Sequence, residues 1–191
     1  MATLRLGVEL KNIAKMIQSC TKCPLHQTRT QAVPGSGNLN AKVVFVGEAP
    51  GYYEDQKGIP FIGRGGQLLT KKLGELGISR EDVFITNIAK CRPPNNRRPE
   101  KTEVEACTPY LNMQLETLTP KFIVPLGAVA GEYIFKKYGL TWTGMLKENG
   151  IKRQVSTIFG TLTIVPVIHP AAVLRNPHRT GIFEGALKEL I

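Results

Sequence analysis

Three stretches of the chain carry side chains at spacings that suit chemistry. The first is 43-VVFVGEAPGYYED-55, where an apolar run enters a loop built of Gly47, Glu48, Ala49, Pro50 and Gly51, followed by two tyrosines and Glu54-Asp55. The apolar part reads as a buried strand and the rest as a tight loop at its mouth. The carboxyl ends of strands in an open α/β sheet are where ligands bind. The glycines let backbone approach a ligand closely. Three carboxylates there serve either acid–base chemistry or bonds to the loop's own N–H groups.

The second is the set of four cysteines, Cys20, Cys23, Cys91 and Cys107, spaced C-x2-C and C-x15-C. Four thiolates suit a structural zinc or an iron–sulfur cluster, and spacing alone leaves the two open. Core packing of some of the thiols, or a redox role for the C-x-x-C pair, are the competing readings. The turn-like contexts Cys23-Pro24 and Cys91-Arg-Pro-Pro weigh against core packing. The third stretch, 90-KCRPPNNRRPEK-101, lies between two of the cysteines and holds five cations, among them Arg92, Arg97 and Arg98, against one acid. Three prolines stiffen it, and a rigid basic loop grips phosphates without reading sequence.

These residues need a frame. Apolar periodicity predicts an amphipathic helix over 7–19, a loop over 30–41, a strand over 42–46 and a helix over 66–76. A strand over 83–89, a helix over 100–118, a strand over 121–127 and a helix over 128–138 follow. Residues 139–153 read as irregular, 154–159 and 161–168 as strands, 169–181 as a loop, and a last helix runs from Gly181. The alternation predicts an α/β fold, a three-layer α/β/α sandwich with a mostly parallel central sheet. One domain over 1–191 is the simplest organisation, with 20–23 and 91–107 forming a four-cysteine lobe.

The 191 residues hold 25 Lys+Arg against 15 Asp+Glu, a formal net charge of +10. A basic globular chain favours a polyanion, nucleic acid ahead of an anionic membrane. The N-terminus lacks the apolar h-region of a signal peptide, and no stretch is long and apolar enough to span a membrane. The expected location is the cytoplasm, at the nucleoid.

Four segments together, 47-GEAPGYYED-55, 60-PFIGRGGQLL-69, 83-VFITNIAKCRPP-94 and 168-IHPAAVLRNP-177, with the cysteine spacing, resemble the family 4 uracil-DNA glycosylases. That is the iron–sulfur branch found in thermophilic bacteria and archaea. The resemblance runs from Cys20 to the end of the chain. It implies a monofunctional DNA-repair glycosylase that flips uracil from DNA, hydrolyses its N-glycosidic bond and leaves an abasic site.

The resemblance also implies roles. Phe61 stacks on the flipped base, and Asn87 reads its edge, accepting from N3–H and donating to O4. His169 donates to O2 as negative charge develops there. The segment 47–51, with Gly47, Ala49 and Gly51, is the water-activating motif. Its classical Asp is replaced by Ala49, which leaves Glu48 as the candidate to hold the water. Glu54 faces the C5 side, and Asp55 either shares that task or braces the loop. Leu174 enters the minor groove and Arg175 meets phosphate, with His178 and Arg179 adding to the basic face. The cysteines then hold a structural [4Fe–4S] cluster, with zinc the alternative. The expected partner is uracil-containing DNA, single- or double-stranded, bound by a monomer. A replication sliding clamp stands open as a second partner.

Overall fold

The computed structural model describes residues 2–191, with side chains from residue 6 onward. Six strands form one sheet: β1 (Ser36–Gly37), β2 (Val43–Gly47), β3 (Phe84–Asn87), β4 (Phe122–Pro125), β5 (Arg153–Thr157) and β6 (Gly160–Ile164). Their order is β1-β3-β2-β4-β6-β5. The inner four, β3, β2, β4 and β6, are parallel, and antiparallel β1 and β5 close the two edges.

The apolar runs of the inner strands follow from burial on both faces. Alternate side chains feed two cores. Val44, Val46, Phe84 and Ile123 join Leu10, Ile13 and Ile17 of α1 (Ala2–Gln18), Tyr110, Leu111 and Leu115 of α4 (Lys101–Leu118), and Ile134 and Phe135 of α5 (Ala128–Lys137). Phe45, Ile85 and Val124 pack on the other side against Leu69 and Leu73 of α3 (Arg64–Glu75) and Phe183 and Leu187 of α8 (Thr180–Lys188). Helices therefore cover both faces, and the expected α/β/α sandwich is the observed one.

The structure corrects the predicted elements in five places, the first being β1, a two-residue strand inside the 30–41 stretch expected as loop. Residues Tyr52–Lys57, expected as loop, form a short helix, α2, capped at its end by Gly58 in the left-handed conformation. Residues Pro170–Arg175, also expected as loop, form α7. Pro170 has the fixed φ of a first helical turn, and the ring Nδ1 of His169 accepts from Ala171 N at 3.2 Å as its N-cap. Met145–Glu148 make a single turn, α6, inside the stretch read as irregular. The two strands expected over 154–168 are an antiparallel hairpin that stops at Ile164. Beyond it Val165 N and Val167 N still bond to Ile123 O and Pro125 O, so the chain stays extended to the site.

Strand order reverses at β2: the chain moves to β3 on one side and then to β4 on the other. Such a switch opens a crevice at the carboxyl ends of the strands. Gly47 ends β2, Asn87 ends β3, Gly127 follows β4, and His169 stands five residues past β6.

Candidate active site

A cavity of about 740 Å³ opens at those strand ends. Its wall takes Glu48, Phe61, Asn87 and His169 from four separate segments, and its rim takes Tyr52, Tyr53, Arg175 and Arg179. Register brings the parts together. Gly47 and Asn87 are neighbours on β2 and β3. A Cβ on Gly47 would stand 2.3 Å from Asn87 Oδ1 and 2.6 Å from the Phe61 ring. Only glycine leaves room for that ring and that amide to share the mouth of β2.

Asn87 is 1% exposed. Among the described residues its Oδ1 is the one buried side-chain nitrogen or oxygen without a hydrogen-bond partner. Buried acceptors are nearly always satisfied, because an unmet one forfeits about 1–3 kcal/mol. An orphan at the floor of a cavity is an acceptor waiting for a ligand's donor.

The Phe61 ring centroid lies 5.7 Å from that of His169, at an interplanar angle of 38°. Phe61 has φ 54°, a left-handed conformation that an aromatic residue rarely adopts. Arg80 holds it there. Its guanidinium donates to the carbonyl oxygens of Pro60 and Phe61, the latter at 3.1 Å. Sequence reasoning passed over Arg80, since an arginine in the turn 79-SRED-82 carries no signal of its target.

His169 presents a defined face. With Nδ1 accepting from Ala171 N, the ring proton belongs on Nε2, which is left to donate. Burial, and then the nearby positive charge of Arg175, depress its pKa to about 4, so the ring is neutral at pH 7. Gly127, at φ +91°, gives it room: a Cβ there would stand 3.2 Å from that of His169.

The three loop carboxylates part ways. Glu48 faces the cavity, and burial raises its pKa against the lowering effect of Arg98. Glu54 also reaches the cavity, but its Oε1 accepts from Ile62 N at 3.0 Å and Gly63 N at 2.8 Å, tying α2 to the Phe61 loop. Asp55 is buried and points elsewhere, both oxygens accepting from Thr30 N at 2.9 and 3.1 Å.

Among the basic residues, Arg97 lines the cavity yet grips the buried Glu103 with two bonds of 2.9 and 2.7 Å. Arg98 pairs with Glu132 at 3.1 Å on the surface. Arg92 donates to Asn96 Oδ1 at 2.7 Å and lies 5.1 Å from the centre of the Tyr52 ring. Leu174 and Arg175 are exposed on α7, Arg175 on the rim.

The four cysteines line one small cavity between α1, the 90s loop and α4. Three of the sulfurs already receive hydrogen bonds: Cys20 from Lys22 N at 3.5 Å, Cys91 from Arg29 Nη1 at 3.0 Å, Cys107 from Lys90 N at 3.2 Å. N–H donors aimed at sulfur stabilise thiolate. Burial raises the thiols of Cys23, Cys91 and Cys107, the last to about 11. A bound cation would reverse that order. Among the described residues no three His, Cys, Asp or Glu side chains are gathered around a single metal ion; the four cysteines share one cavity instead. The buried Lys90 joins this lobe to the active cavity, its Nζ donating to Thr86 Oγ1, Asn87 O and Gln114 Oε1 at 2.6 to 2.7 Å. Burial pulls its ammonium down to about 7, against the opposing pull of the Cys107 sulfur.

Residues 34–191 match the model of the uracil DNA glycosylase superfamily. The chain is 46% identical over 181 residues to a type-4 uracil-DNA glycosylase of Archaeoglobus fulgidus, covering 95% of this chain and 91% of that one. It is 45% identical over 166 residues to the type-4 enzyme of Thermotoga maritima, covering 86% and 82%. The chain belongs to the type-4 uracil-DNA glycosylases. A type-5 uracil-DNA glycosylase of Pyrobaculum aerophilum is 38% identical over 124 residues, 57% of this chain and 54% of that one. This type-4 chain thus carries its cavity on the four parallel strands and its cysteine lobe beside it. Among the described residues, no helix is long and apolar enough to cross a membrane.

Proposed function

We propose that this protein excises uracil from DNA by hydrolysing the bond between uracil N1 and deoxyribose C1′, leaving an abasic site. The observation that carries the reading is the orphan Oδ1 of Asn87. Uracil offers N3–H to it and O4 to the amide NH2. Cytosine reverses both atoms, so a single amide separates the two bases.

The flipped base stacks on Phe61, an interaction worth roughly 1–3 kcal/mol. As the C1′–N1 bond breaks, its electron pair moves into the ring and charge gathers on O2. The Nε2–H of neutral His169 meets that oxygen. A donor placed where charge develops is worth about 2.7–4 kcal/mol. Water attacks C1′ and passes its proton to Glu48, whose raised pKa makes it the better base. Glu54, fixed by Ile62 and Gly63, limits space beside the base and holds the Phe61 loop.

The donor set of Cys20, Cys23, Cys91 and Cys107, with N–H groups on three of its sulfurs, fits a [4Fe–4S] cluster. When bound it supplies a structural cross-link and no step of the hydrolysis. Arg175 and Arg179 on the rim, with Arg92 behind Tyr52, meet DNA phosphates.

The test is excision from single- and double-stranded oligonucleotides carrying one uracil, with alkali revealing abasic sites. Asn87→Ala and His169→Ala are each expected to lose at least a hundredfold while keeping DNA binding. Full activity in either variant would sink the assignment of that residue.

A further inference from the structure

Tyr52 and Tyr53 are 52% and 61% exposed, side by side at the cavity rim. Their ring centroids stand 5.5 Å apart at 81°. Their mount is rigid. α2 is tied to the segment before β1 by Asp55 to Thr30 N and by Gln56 Nε2 to Thr30 Oγ1 at 2.8 Å, and to the Phe61 loop by Glu54. The Arg92 guanidinium lies 5.1 Å from the centre of the Tyr52 ring and is held by Asn96. Two apolar faces fixed on a stiff helix, beside cations and at the mouth of a cavity that admits a base, have the composition of a stacking platform with charge for the backbone.

We propose that Tyr52 and Tyr53, with Arg92, form a shelf for the nucleobase next to the flipped uracil, and that the shelf is used by single-stranded DNA. In a duplex the base beside the flipped uracil stays paired and stacked on its far side, and its one uncovered face looks along the helix axis into the gap, not out to a ring at the cavity rim. An unpaired neighbour can turn a face to that ring, and its phosphate then lies within reach of Arg92. The inference rests on the uracil-excision reading for the position of the flipped base.

The test is fluorescence anisotropy of a labelled single-stranded oligonucleotide and of its duplex, with wild type, Tyr52→Ala/Tyr53→Ala and Tyr52→Phe/Tyr53→Phe. The double alanine variant is expected to weaken single-strand binding by roughly tenfold to a hundredfold and duplex binding by less than threefold. The phenylalanine variant should bind like wild type. Replacing the nucleotides on either side of the uracil with abasic sites should cost wild type as much and the alanine variant almost nothing, since both changes remove one contact. Equal losses on single strand and duplex, or additive losses from the two changes, would overturn the shelf. The binding readout needs no excision. A wild type that binds through the tyrosines and excises nothing would sink the enzymatic reading instead.

Discussion

Gly47, Asn87 and His169 each do one thing that a near neighbour in chemistry does not. A methyl at Gly47 would press on Asn87 Oδ1 and the Phe61 ring at once. Gly47→Ala is expected to destabilise the fold by about 1–3 kcal/mol through overpacking and to lower excision by far more than Tm would suggest. Thermal melting and the excision assay on one preparation check both. As pH falls, Glu48 takes its proton above the usual carboxylate range, because burial raises it, whereas burial and Arg175 hold the protonation of His169 down to about 4. The acid limb of single-turnover excision should therefore belong to Glu48. Arg98→Gln removes a charge that lowers Glu48 and should move the limb upward; an unmoved limb would deny Glu48 the role of base. For stability, the unfolded His169 protonates near 6.5 and the folded ring only near 4. Its contribution is complete above 6.5 and is lost progressively as pH falls towards 4.

At the scale of elements, the site depends on two clamps. Arg80 holds the left-handed Phe61 against its backbone preference. Arg80→Ala should raise KM more than it lowers kcat, because the stacking plate loosens while His169 and Glu48 stay put. Arg80→Lys should restore only part of it, a point donor replacing a fork. A variant with unchanged KM would show that the loop needs no clamp. The second clamp is the cysteine lobe joining α1, the 90s loop and α4. Removing the proposed cluster with chelator and reductant is expected to expose α1 and residues 90–100 to proteolysis and lower Tm, with the β2–β4 core still protected from hydrogen exchange. Arg97 belongs to this scale too. Its two bonds to buried Glu103 mean that Arg97→Ala strands a carboxylate beside the lobe, so its effect on DNA binding has to be read against its Tm. The strands and long helices were legible in the sequence because burial on two faces or one stripe writes itself as apolar period. α2 and α7 were not, since each is six residues long and begins at a turn whose glycine or proline reads as loop. Asn87, Phe61 and His169 were legible through their segments. Arg80 and the Lys90 network were not, because long side chains reach targets that spacing does not reveal.

The whole molecule adds a field. A net charge of +10 spread over 191 residues raises the local concentration of any polyanion whatever its sequence. Many of these cations are tied: Lys72 to Glu75 and Glu184, Arg97 to Glu103, Arg98 to Glu132. Arg175 and Arg179 stand at the cavity, where a phosphate beside the flipped nucleotide would pass. Affinity for undamaged DNA should fall linearly in log–log form with salt, by about 0.7 per phosphate contact on single strands. Arg175→Ala should flatten that slope by roughly one contact, and Arg98→Ala by less, because that guanidinium is shared with Glu132 at 3.1 Å. Arg175 also lowers the pKa of His169, so its removal should raise the titration of that ring above about 4, a shift that NMR of the imidazole reads directly. A phosphate bound in place of Arg175's free charge would act in the same direction. DNA binding is then expected to raise the proton affinity of the His169 ring through one side chain. If the slope flattens in Arg175→Ala and the ring's titration does not move, that coupling is absent and Arg175 is a phosphate contact alone.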